Sequence, residues 1–321
     1  MTELDLDPIL AARLPLLDGV PELGAATPTP DELRRFDSFS AAVGDYTAPD
    51  ADVSAHVAPG PHGDVPVRVY RPVGGSGTRR GLVWLHGGAF MFGDLDMPEA
   101  DVVARELVAR ADVTVVSVDY RLCQGGVHFP VPHDDVRAAY RWAAGPDGPL
   151  GAGAAWALGG GSAGGALAAG AAQRLRDEGG VVPDALVLAY PVAHAPVPRG
   201  SDEHQAVMAQ LPEALRFSPG STDFVNRNYV GDNPVDVPYA FAGLGDVAGL
   251  PRTLVVICEY DDLRATGEQL VDQLRAAGVP TTVELVRGAL HGHLNVPGLP
   301  SALTSIEGMA TFLSDDTHAD R

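Results

Sequence analysis

Ala157-Leu158-Gly159-Gly160-Gly161-Ser162-Ala163-Gly164-Gly165 is the stretch on which the reading of this chain turns. An apolar run leads into it, and a small-residue helical pattern from Ala166 to Leu175 follows. Read as strand, turn and helix, it sets Ser162 on a bend flanked by Gly160 and Gly164, too tight for side chains there. Such a bend lifts the serine oxygen to the top of a sheet and aims a helix N-terminus at it. The amide of Ala163 then points where a negatively charged oxygen would form. A chain with 38 glycines can produce Gly-x-Ser-x-Gly by chance, so the motif counts only with its structural context.

Working outward, Val65 to Tyr70 alternates as a strand and Leu82 to Leu85 is a short buried one. A helical pattern from Pro98 to Arg110 leads to the β-branched run Val113 to Val118, and Asp134 to Trp142 is helical again. Ala155 to Leu158, Ala185 to Leu188, Thr253 to Ile257 and Thr282 to Val286 read as further strands. Glu268 to Ala277 and Ser301 to Leu313 read as helices, with a frayed tail after Ser314. Strands alternating with helices predict an α/β fold with a mostly parallel central sheet flanked by helices. Residues 1 to 45 carry Leu6, Ile9, Leu10 and Leu14, then Leu33 and Phe36, at helical spacing. Within them Thr29-Pro30-Asp31-Glu32 predicts an N-cap with Pro at the first helical position. Residues 192 to 250 break the strand rhythm and are long for a connection, so they read as a helical insertion. No internal repeat is visible.

Composition narrows the function. The chain has 321 residues, ample for a buried core, and a net charge of −20. That sign argues against nucleic acid or an anionic membrane as partner. All its basic residues apart from histidine are Arg, which excludes lysine Schiff-base chemistry and a lysine-dependent phosphate loop. No apolar run approaches the roughly 18 residues a membrane span needs, and the acidic Met1-Thr2-Glu3-Leu4-Asp5 is unlike a secretory signal. A soluble cytoplasmic protein is expected. Cys123 and Cys258 form no disulfide framework or metal cluster and read as buried, reduced thiols.

Three features carry chemistry. His86-Gly87-Gly88-Ala89-Phe90 follows a buried strand, and adjacent glycines let backbone amides approach a ligand oxygen. Glu259-Tyr260-Asp261-Asp262-Leu263-Arg264 ends another strand and offers a carboxylate, from Asp261 or Asp262, to orient an imidazolium. His291-Gly292-His293 supplies that imidazole from a loop after the strand Thr282 to Val286. The order Ser, Asp, His is that of the α/β-hydrolases among the familiar triad scaffolds.

With these residues assembled, the chain from about Val65 to Leu313 resembles the hormone-sensitive-lipase-like (bacterial family IV) carboxylesterases of the α/β-hydrolase fold. The resemblance rests on the His-Gly-Gly block, Asp119 to Leu122, Phe129-Pro130 before Asp134-Asp135, and the Ser-Ala-Gly-Gly bend. Tyr190-Pro191, Leu250-Pro251 and Asp261 to Arg264 complete it. It implies Ser162 as nucleophile, His291 rather than His293 as general base, and Asp261 rather than Asp262 as its carboxylate. Gly87, Gly88 and Ala163 would supply the oxyanion amides. A helical cap would be made of residues 1–45 and 192–250, over a catalytic domain of residues 46–191 and 251–321. The chain departs from the family pattern at five places, one of them His293, where an aromatic residue is usual two past the catalytic histidine. Ala89 replaces the third glycine, and Gly161 replaces the acidic residue before the serine. Cys123-Gln124-Gly125-Gly126 replaces Ala-Pro-Glu, and Asp262 stands where Pro is usual.

The expected activity is hydrolysis of short- to medium-chain esters of small molecules through an acyl-enzyme, with no metal and no cofactor. Amide, carbamate or lactone hydrolysis on the same triad, and ligand binding without turnover, are the alternatives. Phe90, Tyr190, Met208, Phe217 and Phe224 are the candidate pocket wall. The strand Thr282 to Val286 is expected at a sheet edge, where a homodimer could pair.

Overall fold

The computed structural model describes residues 4–25, 28–75 and 79–315; the expected fraying of the chain's last residues lies outside that range. Among the described residues eight strands form one sheet: β1 (Asp52–Ala58), β2 (Val65–Arg71), β3 (Arg80–Leu85), β4 (Thr114–Val118), β5 (Ala155–Gly161), β6 (Ala185–Ala189), β7 (Arg252–Tyr260) and β8 (Thr281–Leu290). Their spatial order is β1-β2-β4-β3-β5-β6-β7-β8. The first two strands pair antiparallel, β2 runs antiparallel to β4, and every pairing from β4 to β8 is parallel.

Nine α-helices accompany the sheet among the described residues: α1 (Pro8–Arg13), α2 (Pro30–Phe39), α3 (Pro98–Ala111), α4 (Val131–Ala144), α5 (Ala163–Glu178), α6 (Asp202–Met208), α7 (Pro219–Val230), α8 (Arg264–Ala276) and α9 (Pro300–Ser314). The period of two along β3 sorts them into layers. Val83 and Leu85 face one side with Val136, Leu167 and Leu270 of α4, α5 and α8. Leu82 and Trp84 face the other with Val103, Leu107 and Ile306 of α3 and α9. Helices cover both faces of the parallel strands, as parallel sheets require. Helix α2 starts as expected: Thr29 accepts from the Glu32 amide while the Glu32 carboxylate accepts from the Thr29 amide.

One strand escaped the sequence reading. β1 pairs only with β2, and its residues are mostly exposed, so Asp, Ser and His sit among its valines and no apolar alternation marks it. At the other end of the sheet β8 pairs only with β7. Residues 192–250 contribute α6, α7 and short 3₁₀ turns, with no named strand. They touch the N-terminal segment, where Glu22 accepts from the Ser218 amide (3.3 Å) and hydroxyl (2.9 Å).

Candidate active site

The serine bend is built from what cannot be there. A Cβ on Gly160 would fall 2.7 Å from the Leu85 carbonyl, and one on Gly164 would fall 2.5 Å from the His86 carbonyl. Only glycine lets β5 and α5 pack this closely against the end of β3. Ser162 itself is held at φ 51°, ψ −115°, a conformation that costs on the order of 1–3 kcal/mol and persists because the surroundings enforce it. Its amide donates to the Ala189 carbonyl (2.9 Å). Although it is the N-cap residue of α5, its hydroxyl makes no cap hydrogen bond. That oxygen lies 2.9 Å from His291 Nε2 instead.

His291 completes a continuous chain, with Nδ1 2.7 Å from Asp261 Oδ2. A carboxylate can only accept, so Nδ1 carries the proton and Nε2 is free to accept from Ser162. The other Asp261 oxygen accepts from the Leu263 amide (2.8 Å). The carboxylate emerges just past an irregularity in the β7–β8 pairing between Cys258 and Tyr260, the kind of bulge that re-aims a side chain at a sheet's end. Burial opposes a charge on the His291 ring. Asp261 beside it, with Glu99 and Asp262 beyond, outweighs that penalty and holds its pKa above the ordinary imidazole value.

The neighbouring His293 and Asp262 have different surroundings. His293 is buried, bonded to Cys258 Sγ (3.3 Å) and Ser305 Oγ (2.8 Å). Burial, then the neighbouring His291, pushes its pKa down to about 3, so it stays neutral and plays a packing role. Asp262 is taken up by other partners: it accepts a two-pronged bond from Arg216 (2.7 and 3.1 Å) and one from the Phe217 amide (2.8 Å). Cys123 is buried, which pushes its thiol up to about 12.

The His-Gly-Gly-Ala loop corrects one expectation. The Gly87 amide donates to the buried Glu99 carboxylate and is therefore not available to an oxyanion. Among the described residues no backbone bond outside helices and strands claims the amides of Gly88, Ala89 or Ala163. The loop is bulged, with positive φ at Gly88 (107°), Ala89 (54°) and Phe90 (61°). It is braced by the segment that departs from the family pattern. Cys123 N donates to the Phe90 carbonyl (2.7 Å), and Gln124 Nε2 to the Met91 carbonyl (2.5 Å).

A small cavity of about 20 Å³ adjoins Ser162, little more than a single water needs. Phe90 and Phe217 line it, with Ala89, Val192, Thr222, Val225, Asn226 and Leu263. Phe217 also stands edge-on to the His291 ring, 4.7 Å between centroids. The other three wall candidates are corrected. Tyr190 lies beneath His291, edge-on at 4.9 Å, and its hydroxyl donates to Glu99. Met208 is fully buried in the core layer shared with α3 and α9. Phe224 is exposed and its ring sits over Gly24, where a Cβ would fall 2.7 Å away. Asn226 and Thr222 were missed because polar residues on a helix read as its solvated face.

Comparison with known proteins gives the same fold and a family. Residues 82–295 match the α/β-hydrolase-fold family. The chain is 34% identical to the carboxylic ester hydrolase LipN of Mycobacterium tuberculosis, over 76% of this chain and 65% of LipN. It is 33% identical to the esterase LipI of the same organism, over 76% of each. Among solved structures, an ester hydrolase from the metagenome of Lake Arreo superposes with a TM-score of 0.79 at 30% identity, covering 96% of this chain and 98% of that one. An esterase of Pyrobaculum calidifontis superposes with a TM-score of 0.73 at 31% identity, covering 83% and 86%. The protein belongs to the α/β-hydrolase family, among the hormone-sensitive-lipase-like carboxylesterases.

Proposed function

We propose that Ser162, His291 and Asp261 hydrolyse small esters with short acyl groups. The carrying observation is the unbroken Ser162–His291–Asp261 hydrogen-bond chain beside a small apolar cavity. Ser162 attacks the ester carbonyl while His291 takes its proton, and Asp261 stabilises the imidazolium. The oxyanion is received by the amides of Gly88 and Ala163, with Ala89 in place of Gly87. His291 then protonates the departing alcohol, and water repeats the cycle on the acyl-enzyme. Residues 1–45 and 192–250 form a cap, a reading supported by Phe217 and α7 walling the cavity and by the Glu22–Ser218 contact.

The test is intact-protein mass after incubation with a fluorophosphonate, for wild type and Ser162→Ala together. One adduct on wild type alone is expected, with Ser162→Ala losing on the order of 10⁵-fold or more in kcat. A folded wild type that takes no adduct sinks the reading and brings ligand binding without turnover forward. Among the described residues no helix is long and apolar enough to cross a membrane. The buried, unpaired Cys123 and Cys258 support a cytoplasmic setting. The single-sided pairing of β8 supports a homodimer joined along that edge, to be dropped if light scattering at micromolar concentration gives one chain's mass.

A further inference from the structure

Glu99 is a buried carboxylate in the first turn of α3, far in sequence from Ser162, Asp261 and His291, yet it bonds to the loop after β3, to Tyr190 after β6 and to the loop that carries His291. One of its oxygens accepts from the Gly87 amide and the other from the Tyr190 hydroxyl. Its own amide donates to Asn295 Oδ1 (3.3 Å), in the loop that carries His291, and its carbonyl accepts from Trp84 Nε1 (2.7 Å). The carboxylate occupies a cradle made by two glycines. A Cβ on Gly161 would fall 2.6 Å from its carboxyl carbon, and one on Gly87 would fall 2.7 Å from Oε2. The family pattern that this chain resembles has an acidic residue before the serine; Gly161 stands there, and the Glu99 carboxylate, carried by another element, fills the space that a side chain at 161 would take.

We propose that Glu99 is a positioning residue of the esterase site, a carboxylate relocated from position 161 to α3. The inference rests on the reading of Ser162 as nucleophile. By holding the Gly87 amide, Glu99 fixes the peptide that precedes Gly88 and Ala89 and leaves the next amides for the oxyanion. By holding the Tyr190 hydroxyl, it keeps that ring edge-on beneath His291 and limits how the imidazole can swing. Its charge adds to those of Asp261 and Asp262 around His291. Tyr190, held protonated by burial and by Glu99, the neutral His293 and the Cys258 thiol, held protonated by burial, stand among the titratable groups on that side. Removing the charge therefore lowers the pH at which His291 is lost as a base.

The experiment compares wild type, Glu99→Gln, Glu99→Ala, Gly161→Asp and the double variant Glu99→Ala/Gly161→Asp. Each is assayed for p-nitrophenyl acetate hydrolysis against pH, with fluorophosphonate labelling of wild type as the control on Ser162. Glu99→Gln, which keeps the volume, is expected to lose about tenfold in kcat with KM changed less than about twofold, and its acid limb moves down in pH. Glu99→Ala is expected to lose about 100-fold. Gly161→Asp alone is impaired because its side chain collides with Glu99. The double variant regains roughly tenfold over Glu99→Ala, a coupling expected only of residues sharing one space. A Glu99→Gln enzyme with wild-type kcat and acid limb overturns the proposal, as does a folded double variant no better than Glu99→Ala. If wild type takes no label, the reading of Ser162 fails and this inference falls with it; a labelled wild type confines any failure to Glu99.

Discussion

Two parts of the molecule meet over Ser162 and are held in unlike ways. The platform is fastened by its backbone. Ser162 and Tyr190 donate to the carbonyls of Ala189 and Val256 on neighbouring strands, and glycines at 160 and 164 let main chains touch. The covering segments add more side chains reaching across, Arg216 to Asp262, Glu22 to Ser218, and His204 Nε2 to the Asp261 carbonyl at 2.9 Å, beside a few backbone bonds such as Phe129 N to the Tyr229 carbonyl (2.7 Å) and Val43 N to the Pro297 carbonyl (2.8 Å). Backbone fastening is all-or-nothing, because a shifted strand moves every group on it. Side-chain fastening can be loosened one bond at a time. Changes on the platform should therefore strike kcat, and changes in the covering segments should strike substrate binding and stability by graded amounts.

Asp261→Asn gives the sharpest contrast. The amide keeps the shape but can donate to His291 Nδ1, favouring the tautomer that leaves Nε2 protonated and useless to Ser162. The expected loss is about 10⁴-fold in kcat, read by ester hydrolysis, with a melting temperature close to wild type. A loss under tenfold would break the comparison at its strongest point and reopen the case for Asp262.

Arg216→Ala tests the other side. It leaves the nearly buried Asp262 with only the Phe217 amide, and Arg216 is itself partly exposed. Breaking such a pair should cost roughly 2 kcal/mol, less than a fully buried one. Because Asp262 also holds the backbone that carries Phe217, KM should rise about tenfold with kcat within about twofold. Phe217→Ala should enlarge the cavity without touching the latch, raising the hexanoate-to-acetate ratio in kcat/KM by about tenfold. If Arg216→Ala instead lowered kcat 100-fold at unchanged KM, the latch would belong to the platform.

The same division explains what could be read from residues alone. Close backbone approach restricts residue types over contiguous stretches, so Gly160-x-Ser162-x-Gly164, His86-Gly87-Gly88 and the apolar strands stood out. The elements that position the triad were legible for that reason. Glu99 was not, because an acid after Pro98 in a helix's first turn reads as solvated, and nothing local announces that it ends beneath Gly161. With Glu99 unseen, Gly87 looked free to bind an oxyanion. Met208, Tyr190 and Phe224 were proposed as pocket wall on apolar character, which does not distinguish core, support and surface. β1 was lost because an exposed edge strand has no buried face to write an alternation.

The smallest effect should come from Glu22→Gln. Glu22 accepts from the amide and hydroxyl of Ser218, the N-cap of α7, whose own hydroxyl accepts from the Ser221 amide (3.2 Å). A carboxylate at a helix N-terminus gains from the helix dipole by about 0.3–1 kcal/mol when partly exposed. Glutamine keeps one acceptor and the shape, so only this charge contribution and part of the hydrogen bonding are lost. The melting temperature should fall by about 1–2 °C and kcat/KM for short esters by less than about twofold. The α7 residues Thr222, Val225 and Asn226 line the cavity from the helix that Ser218 caps. A kcat/KM loss above tenfold would therefore mean that the N-terminal segment sets the cavity wall through α7. One contact at the molecule's rim would then govern the site as strictly as the backbone platform does.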